Sequence, residues 1–312
     1  MPGSVCYHAP AKLNLALAVG TPDEDGMHPI CSWMVTVDLC DELLLTRLLP
    51  GTLSRYAIIW HPSAKRRTEI DWSITKDLSV RAHLALQKET GQDLPVQMKL
   101  EKRIPVGGGL GGGSSDAATM LRGLNELYEL GMSNEVLTAI GRGLGSDVPF
   151  LIRGGSAIVQ GMGDEITHHD TAPDLQAVIA FPDFSCQTPL VYKRFDELIE
   201  GHNHVLRSDD VYSLAGDSGG GASQPDSKAL FNDLTAAAIL AAPKLQEMIG
   251  QISELAERPA HVSGSGSSLF VICDDPLHAE SLASTVEKRL NLPAVAVKAH
   301  EITESSIVGD KE

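Results

Sequence analysis

From Lys12 to Val19 (KLNLALAV) the chain alternates: Leu13, Leu15, Leu17 and Val19 fall on one side, Lys12, Asn14, Ala16 and Ala18 on the other, which is the period of a strand. Lys12 and Asn14 therefore project together from the small-residue face, a placement better suited to a site than to a solvated edge. Met34 to Arg47 reads as one or two strands, Tyr56 to Trp60 as another, and Val96, Met98 and Leu100 as a strand running into a glycine loop. Between them Asp77 to Glu89 carries Leu78, Ala82, Ala85 and Leu86 at helical spacing, with Gly91 as its stop.

From Pro105 to Leu121 the sequence is PVGGGLGGGSSDAATML, in which every residue from Gly107 to Gly113 except Leu110 is glycine. Ala117, Met120, Leu121, Leu124 and Tyr128 predict a helix from near Ser115 to near Gly131. Ser133 is placed to cap a short helix, after which GRGLGSDVPF interrupts the pattern. Asp147, ahead of Val148 and Pro149, can cap the next helix or serve a reaction. Strand-like SAIVQ and DLQAVIAF flank GMGDEITHHD, which marks a domain boundary and divides the chain into residues 1–168 and 169–312. His168 and His169 read as solvated there, with no partner spaced for a metal.

Beyond the boundary, Thr188 and Pro189 open a helix through Tyr192 and Phe195. Glu200 to Lys228 is a Gly/Ser/Asp-rich insertion read as a mobile surface loop, and Asn232 as the cap of a long Ala/Leu-rich helix. A second glycine segment, His261 to Ser268 (HVSGSGSS), precedes a strand (LFVIC), a helix from Ala279 to Leu290 and a strand from Ala294 to Val297.

Composition narrows the function classes. The chain has 312 residues, 43% hydrophobic and 21% charged, enough for two domains. No apolar run approaches the roughly 20 residues of a membrane helix, and the N-terminus has no signal-like apolar stretch, so a cytoplasmic protein is expected. Five scattered cysteines, none spaced C-x-x-C, argue against a disulfide framework or zinc site. A net charge of −16 and a pI of about 5.0 disfavour nucleic acid as a partner. An anionic ligand needs a local basic exception, for which Lys12, Lys102 and Arg103 are the candidates.

The glycine loop ahead of a helix is the arrangement of a phosphate cradle, because backbone N–H groups can approach an anion with no Cβ in the way. A P-loop is excluded, since no lysine follows the glycines. The dinucleotide fingerprint is formally met by Gly107, Gly109 and Gly112, but the preceding strand ends in Glu101, Lys102, Arg103 and Pro105 instead of a buried apolar run. Protein-kinase signatures are absent.

PVGGGLGGGSSDAA strongly resembles the phosphate-wrapping loop of the GHMP family of small-molecule kinases. LGSDVPF resembles that family's catalytic-aspartate segment, and HVSGSGSSLF its C-terminal glycine motif. The resemblance spans nearly the whole chain, with APAKLNLALAV, DGMHPI and FNDL in matching order. It implies an α+β fold of two domains, the first like ribosomal protein S5 domain 2 and the second ferredoxin-like. It also implies an ATP-dependent kinase using Mg2+, whose alcohol substrate is a cytidine diphosphate-linked methylerythritol, acting as a monomer or weak homodimer. A different alcohol, or nucleotide binding without catalysis, are the alternatives.

Carried over residue by residue, the resemblance makes Asp147 the base and Lys12 its partner. Pro105, Gly107, Gly108, Gly109, Leu110, Gly111, Gly112, Gly113, Ser114 and Ser115 wrap the phosphates, Asp77 lies near the adenine, and no protein residue is assigned to the metal. Asn14, Met27, His28, Thr188 and Tyr192 face the substrate, His28 reading the cytosine edge and Tyr192 stacking on it. Two positions depart from the family pattern: Met27 where an aromatic is usual, and Asp77 where asparagine is usual.

Overall fold

The structure, a computed structural model, describes residues 4–216, 224–302 and 306–308. The N-terminal part contains β1 (Ser4–Val19), β2 (Ile30–Arg47), β3 (Arg55–Trp60), α1 (Leu78–Thr90), β4 (Val96–Lys102), α2 (Gly112–Leu127), α3 (Asn134–Arg142), α4 (Val148–Arg153), β5 (Ser156–Gly161) and β6 (Glu165–His168). There follow β7 (Gln176–Ala180), α5 (Thr188–Ile199), α6 (Ser208–Gly216), β8 (Phe231–Asn232), α7 (Thr235–Ala241), α8 (Lys244–Ala256), β9 (His261–Val262), β10 (Leu269–Cys273), α9 (Pro276–Leu290), β11 (Ala294–Lys298) and β12 (Ser306–Val308).

These elements make two sheets. The larger runs β12-β1-β2-β4-β3, with β5 and β6 extending from β2 and β8 lying parallel to β1. The smaller is β11-β7-β10-β9, antiparallel throughout. Leu43, Leu45, Met98 and Leu100 pack the larger sheet against Val80, Leu86, Met120, Leu121 and Phe150 of the helices. Val178, Leu269 and Val271 pack the smaller one against Val191, Ala238, Ile252 and Leu282. A third core joins the sheets face to face, with Leu13, Leu15, Trp33 and Val35 meeting Ala177, Ile179, Phe270 and Ile272. The layers are thus helix, sheet, sheet, helix, the mixed helix and strand architecture expected of the sequence. Among the described residues, no helix is long and apolar enough to cross a membrane.

The clean alternation of β1 does not survive. Its register against β2 shifts between Asn14 and Ala16, so one extra residue is absorbed and the sides exchange. Leu13 and Leu15 therefore share the inter-sheet core with Ala16 and Ala18, while Leu17 and Val19 turn to the core of the C-terminal helices. The bulge puts Leu17 on the side of Lys12 and Asn14, where all three line one cleft.

Other expectations also change. The GMGDEITHHD stretch contains β6, hairpinned to β5. His168 stacks on Phe150 with ring centroids 6.2 Å apart, and His169 Nδ1 lies 2.8 Å from Ser156 Oγ, so neither is a freely solvated side chain. The long helix after Asn232 is two helices, α7 and α8, with Pro243 at their junction, where its missing N–H cannot continue the first. Within the insertion from Glu200 to Lys228, α6 buries Val211 and Ala215 in the inter-sheet core, because those apolar positions recur at helical spacing. The glycine run of the insertion, residues 217–223, lies outside the described residues.

Candidate active site

The glycine loop leaves β4 after Lys102 and enters α2 at Gly112, with Gly111 as N-cap in the left-handed conformation (φ 69°). The helix thus starts one turn earlier than the apolar stripe predicts, since glycines carry no pattern to read. Its first N–H groups open onto the loop, the arrangement that attracts phosphate. Gly109 is required by contact as well as by its φ of 77°: a Cβ there would stand 2.1 Å from the Ser263 carbonyl oxygen. That closeness reflects an interlock with the second glycine segment. Ser263 Oγ donates to the Gly109 carbonyl at 3.1 Å, and Ser268 N donates to the Gly108 carbonyl at 3.0 Å.

The loop is a wall between two spaces. One is a cavity of about 340 Å³, bounded by Trp72, Lys76, Asp77, Lys102, Asp116 and the residues from Ile104 to Ser114. Asp77 contributes structure to it. Its Oδ1 accepts from Ser79 N at 2.9 Å, capping α1, and its Oδ2 accepts from Trp72 Nε1 at 3.1 Å.

On the other side is a cleft of about 220 Å³, where Lys12, Asn14, Asp147, Thr188 and Tyr192 come together with Gly264 to Gly266. Lys12, a residue 4% exposed, donates from Nζ to Asn14 Oδ1 at 2.6 Å, and Nζ stands 3.6 Å from Asp147 Oδ2. Asn14 Nδ2 donates to Ser32 Oγ at 2.8 Å, and Ser32 Oγ in turn donates to the Ala16 carbonyl at 2.8 Å, so the amide cannot flip without losing partners. Asp147 occupies the N-cap position of α4 but makes no capping hydrogen bond. Thr188 Oγ1 lies 2.8 Å from Ser265 Oγ, tying the start of α5 to the second glycine segment. Burial, reinforced by the Asp147 charge, pushes the Tyr192 hydroxyl up to about 12, so it stays a neutral donor.

His28 and Met27 lie outside the lining of this cleft. His28 Nδ1 lies 2.9 Å from the Gly20 carbonyl and its Nε2 lies 3.3 Å from Asp196 Oδ1. The ring sits beside Tyr192, centroids 5.0 Å apart, and is only 8% exposed. Met27 is 56% exposed. The expected basic exception also shrinks: Lys102 is buried between Asp41 and Asp116, and Arg103 pairs with Glu42 at 2.8 Å. Lys12 is left as the ammonium facing the cleft.

Sequence reasoning passed over Asn232 as a helix cap. Its Oδ1 does accept from Leu234 N at 2.9 Å, but its Nδ2 donates to the carbonyls of Val262 (2.9 Å) and Gly264 (2.7 Å). It thereby seats Gly264 beside Lys12, so close that a Cβ on that glycine would lie 3.3 Å from Nζ. Only the FNDL segment hinted at this.

A phosphate cradle sharing its wall with a cleft that holds a carboxylate and an ammonium is the arrangement of a small-molecule kinase. Residues 77–155 match the model of the GHMP kinases N terminal domain, and residues 215–292 that of the GHMP kinases C terminal domain. The chain belongs to the GHMP kinase family of ATP-dependent phosphotransferases. It is 35% identical over 300 residues to the 4-diphosphocytidyl-2-C-methyl-D-erythritol kinase of Geobacter sp. (strain M21), covering 93% of this chain and 97% of that one. A crystal structure of 4-(cytidine 5'-diphospho)-2C-methyl-D-erythritol kinase superposes with a TM-score of 0.73 at 31% identity, over 95% of this chain and 99% of the other. L. major mevalonate kinase, at 14% identity and a TM-score of 0.67 over 95% of this chain and 96% of the other, shares the fold.

Proposed function

We propose that this chain transfers the γ-phosphoryl group of ATP to the 2-hydroxyl of 4-diphosphocytidyl-2-C-methyl-D-erythritol, a step of the non-mevalonate route to isoprenoid precursors. The Lys12 and Asp147 pair, set 3.6 Å apart in the cleft behind the glycine loop, carries the reading. The Asp147 carboxylate accepts the hydroxyl proton as the oxygen attacks phosphorus. Lys12, held by Asn14, stabilises the alkoxide as it forms. The N–H groups of the loop and of the start of α2 take the phosphates, so the protein's part is chiefly positioning and charge stabilisation.

Mg2+ supplies further neutralisation of phosphate charge when bound. We assign it no carboxylate, because Asp41 and Asp116, the carboxylates beneath the cradle, are each ion-paired to Lys102 through Oδ2. Ser115 Oγ, on the first turn of α2, is buried without a hydrogen-bond partner and does not line the larger cavity. We place the division between the nucleotide part and the remainder at residues 168 and 169, between the end of β6 and the start of the smaller sheet; β8 and β12 return to the larger sheet. For the substrate we assign Thr188 and Tyr192 to the cleft and His28 with Met27 to the cytosine end.

The test is ADP release with MgATP and, in turn, the cytidyl alcohol, mevalonate, homoserine and galactose. Turnover with the cytidyl alcohol alone is expected. Turnover with another alcohol instead would favour the second reading, which the exposed Met27 and the internally engaged His28 motivate.

A further inference from the structure

Below the cradle lies a buried charge cluster that the reaction above does not use. Lys102 Nζ, at the end of β4, stands 2.5 Å from Asp41 Oδ2 on β2 and 2.6 Å from Asp116 Oδ2 on α2. None of the three is more than 2% exposed. Asp41 is well satisfied, its Oδ1 also accepting the backbone N–H groups of Arg103 and, at 2.8 Å, Ile104. Asp116 has Lys102 alone, and its Oδ1 is buried without a partner.

One ammonium between two buried carboxylates leaves a surplus negative charge, which a low-dielectric site disfavours. The surplus is relieved at the carboxyl with fewer donors. Burial raises Asp116 well above the usual carboxylate range despite the attraction of Lys102. Burial alone would depress the Lys102 ammonium, but Asp116 and Asp41 outweigh it and hold its pKa above the ordinary value.

The position of the cluster is what matters. Lys102 is the last residue before the glycine loop, Asp116 lies one helical turn after the loop ends at Gly112, and Asp41 grips the two peptide groups that follow Lys102. Both ends of a segment dominated by glycine, the residue that loses most conformational freedom on ordering, are thereby tied to each other and to β2. Lys102 and Asp116 also border the larger cavity.

We propose that Asp41, Lys102 and Asp116 are positioning residues for the nucleotide, forming a buried clamp that fixes the spacing of the two ends of the glycine loop and so keeps its N–H groups set for the phosphates. The proposal rests on the reading of the larger cavity as the ATP site. Asp116→Leu tests it cleanly, because it cuts the tie to α2 and leaves Asp41 and Lys102 as a balanced pair. Asp116→Asn keeps an acceptor for Lys102. The dissociation constant of MgATP, measured by equilibrium dialysis without the alcohol, and the KM for each substrate are the readouts, with thermal midpoints alongside.

Asp116→Leu is expected to weaken MgATP binding and raise its KM about tenfold, with the alcohol KM within about twofold, and Asp116→Asn to restore binding to within about threefold. Unchanged MgATP affinity in Asp116→Leu, an Asn variant no better than the Leu one, or two KM values rising in proportion would each overturn the clamp. If the Leu variant does not fold, Asp116→Ser, whose hydroxyl is too short to reach Lys102, carries the same expectations. Because nucleotide affinity is read alone, a wrong assignment of the alcohol leaves the result interpretable.

Discussion

Lys12 and Asp147 face each other across 3.6 Å from elements far apart in the chain, the ammonium on β1 and the carboxylate at the start of α4. Asp147 stands where an aspartate ordinarily caps a helix, yet it caps nothing, and its side chain is turned to the lysine. A carboxylate withheld from the usual structural use and paired with the buried Lys12 is the arrangement on which the proposed role of base rests. Asp147→Asn keeps the shape and removes the base. Turnover should fall by about three orders of magnitude, the middle of the range a general base contributes, while MgATP binding changes little. ADP release and nucleotide affinity measured on the same preparation decide it, and a variant retaining a tenth of its turnover would exclude Asp147 as the base.

The interlock of the two glycine segments gives a second expectation. Gly109→Ala places a Cβ at 2.1 Å from the Ser263 carbonyl oxygen and asks alanine to hold a φ of 77°. The loop must move off the second segment, so MgATP affinity and kcat should both drop at least tenfold, on the order of 1.4 kcal/mol or more. Gly250→Ala, in the body of α8 with nothing within 4 Å of the added carbon, is the control. It should raise stability by roughly 0.5–1 kcal/mol, the helix-interior difference between the two residues, read from denaturant unfolding. A harmless Gly109→Ala would mean that the loop is not held by Ser263.

Which parts of this could be read from the sequence follows from where the determining forces act. Strands and helices with a regular apolar period, such as Val96 to Lys102 or the stretch after Asp77, are local and legible, and Gly91 ends α1 as its position foretells. Asp147, Lys12 and the glycine loop were found by motif, and the structure brings them to one place. The bulge between Asn14 and Ala16 was hidden because a strictly alternating sequence carries no mark of an absorbed residue; it shows only in the pairing with β2. Lys102 looked like a phosphate-binding cation because its partners, Asp41 and Asp116, are 61 and 14 residues away. Asn232 looked like a cap for the same reason, its carbonyl partners lying 30 and 32 residues on.

His168 predicts a limit on acid stability. Burial, helped by the Arg153 charge, holds it neutral down to about 4, against an ordinary value of 6.5 in the unfolded chain. Because the folded-state value is the lower one, the unfolded chain takes up the proton first. The contribution to stability is complete above pH 6.5 and is lost progressively as pH falls towards 4. His168→Phe keeps the stack on Phe150 and removes the titration. Its unfolding midpoint should fall less steeply between those pH values than that of the unsubstituted protein. Parallel curves for the two proteins would mean that His168 carries no such load.

At Met27 the proposed substrate choice can be tested. It is 56% exposed, next to a His28 whose ring lies beside Tyr192, so the cytosine end of the proposed site has one aromatic wall and a flexible thioether where a second could stand. Met27→Tyr supplies a ring face at a position already open to solvent. A stacked pair is worth about 0.5–1.5 kcal/mol, so the KM for the cytidyl alcohol should fall by roughly twofold to twelvefold. The KM for ATP and the unfolding free energy should stay within about 0.5 kcal/mol of their starting values, as for other exposed substitutions. The readout is the pair of KM values taken with saturating co-substrate. If the cytidyl KM does not move, Met27 is not a wall of the base site; if turnover of another alcohol is lost instead, the exposed methionine was serving that alcohol.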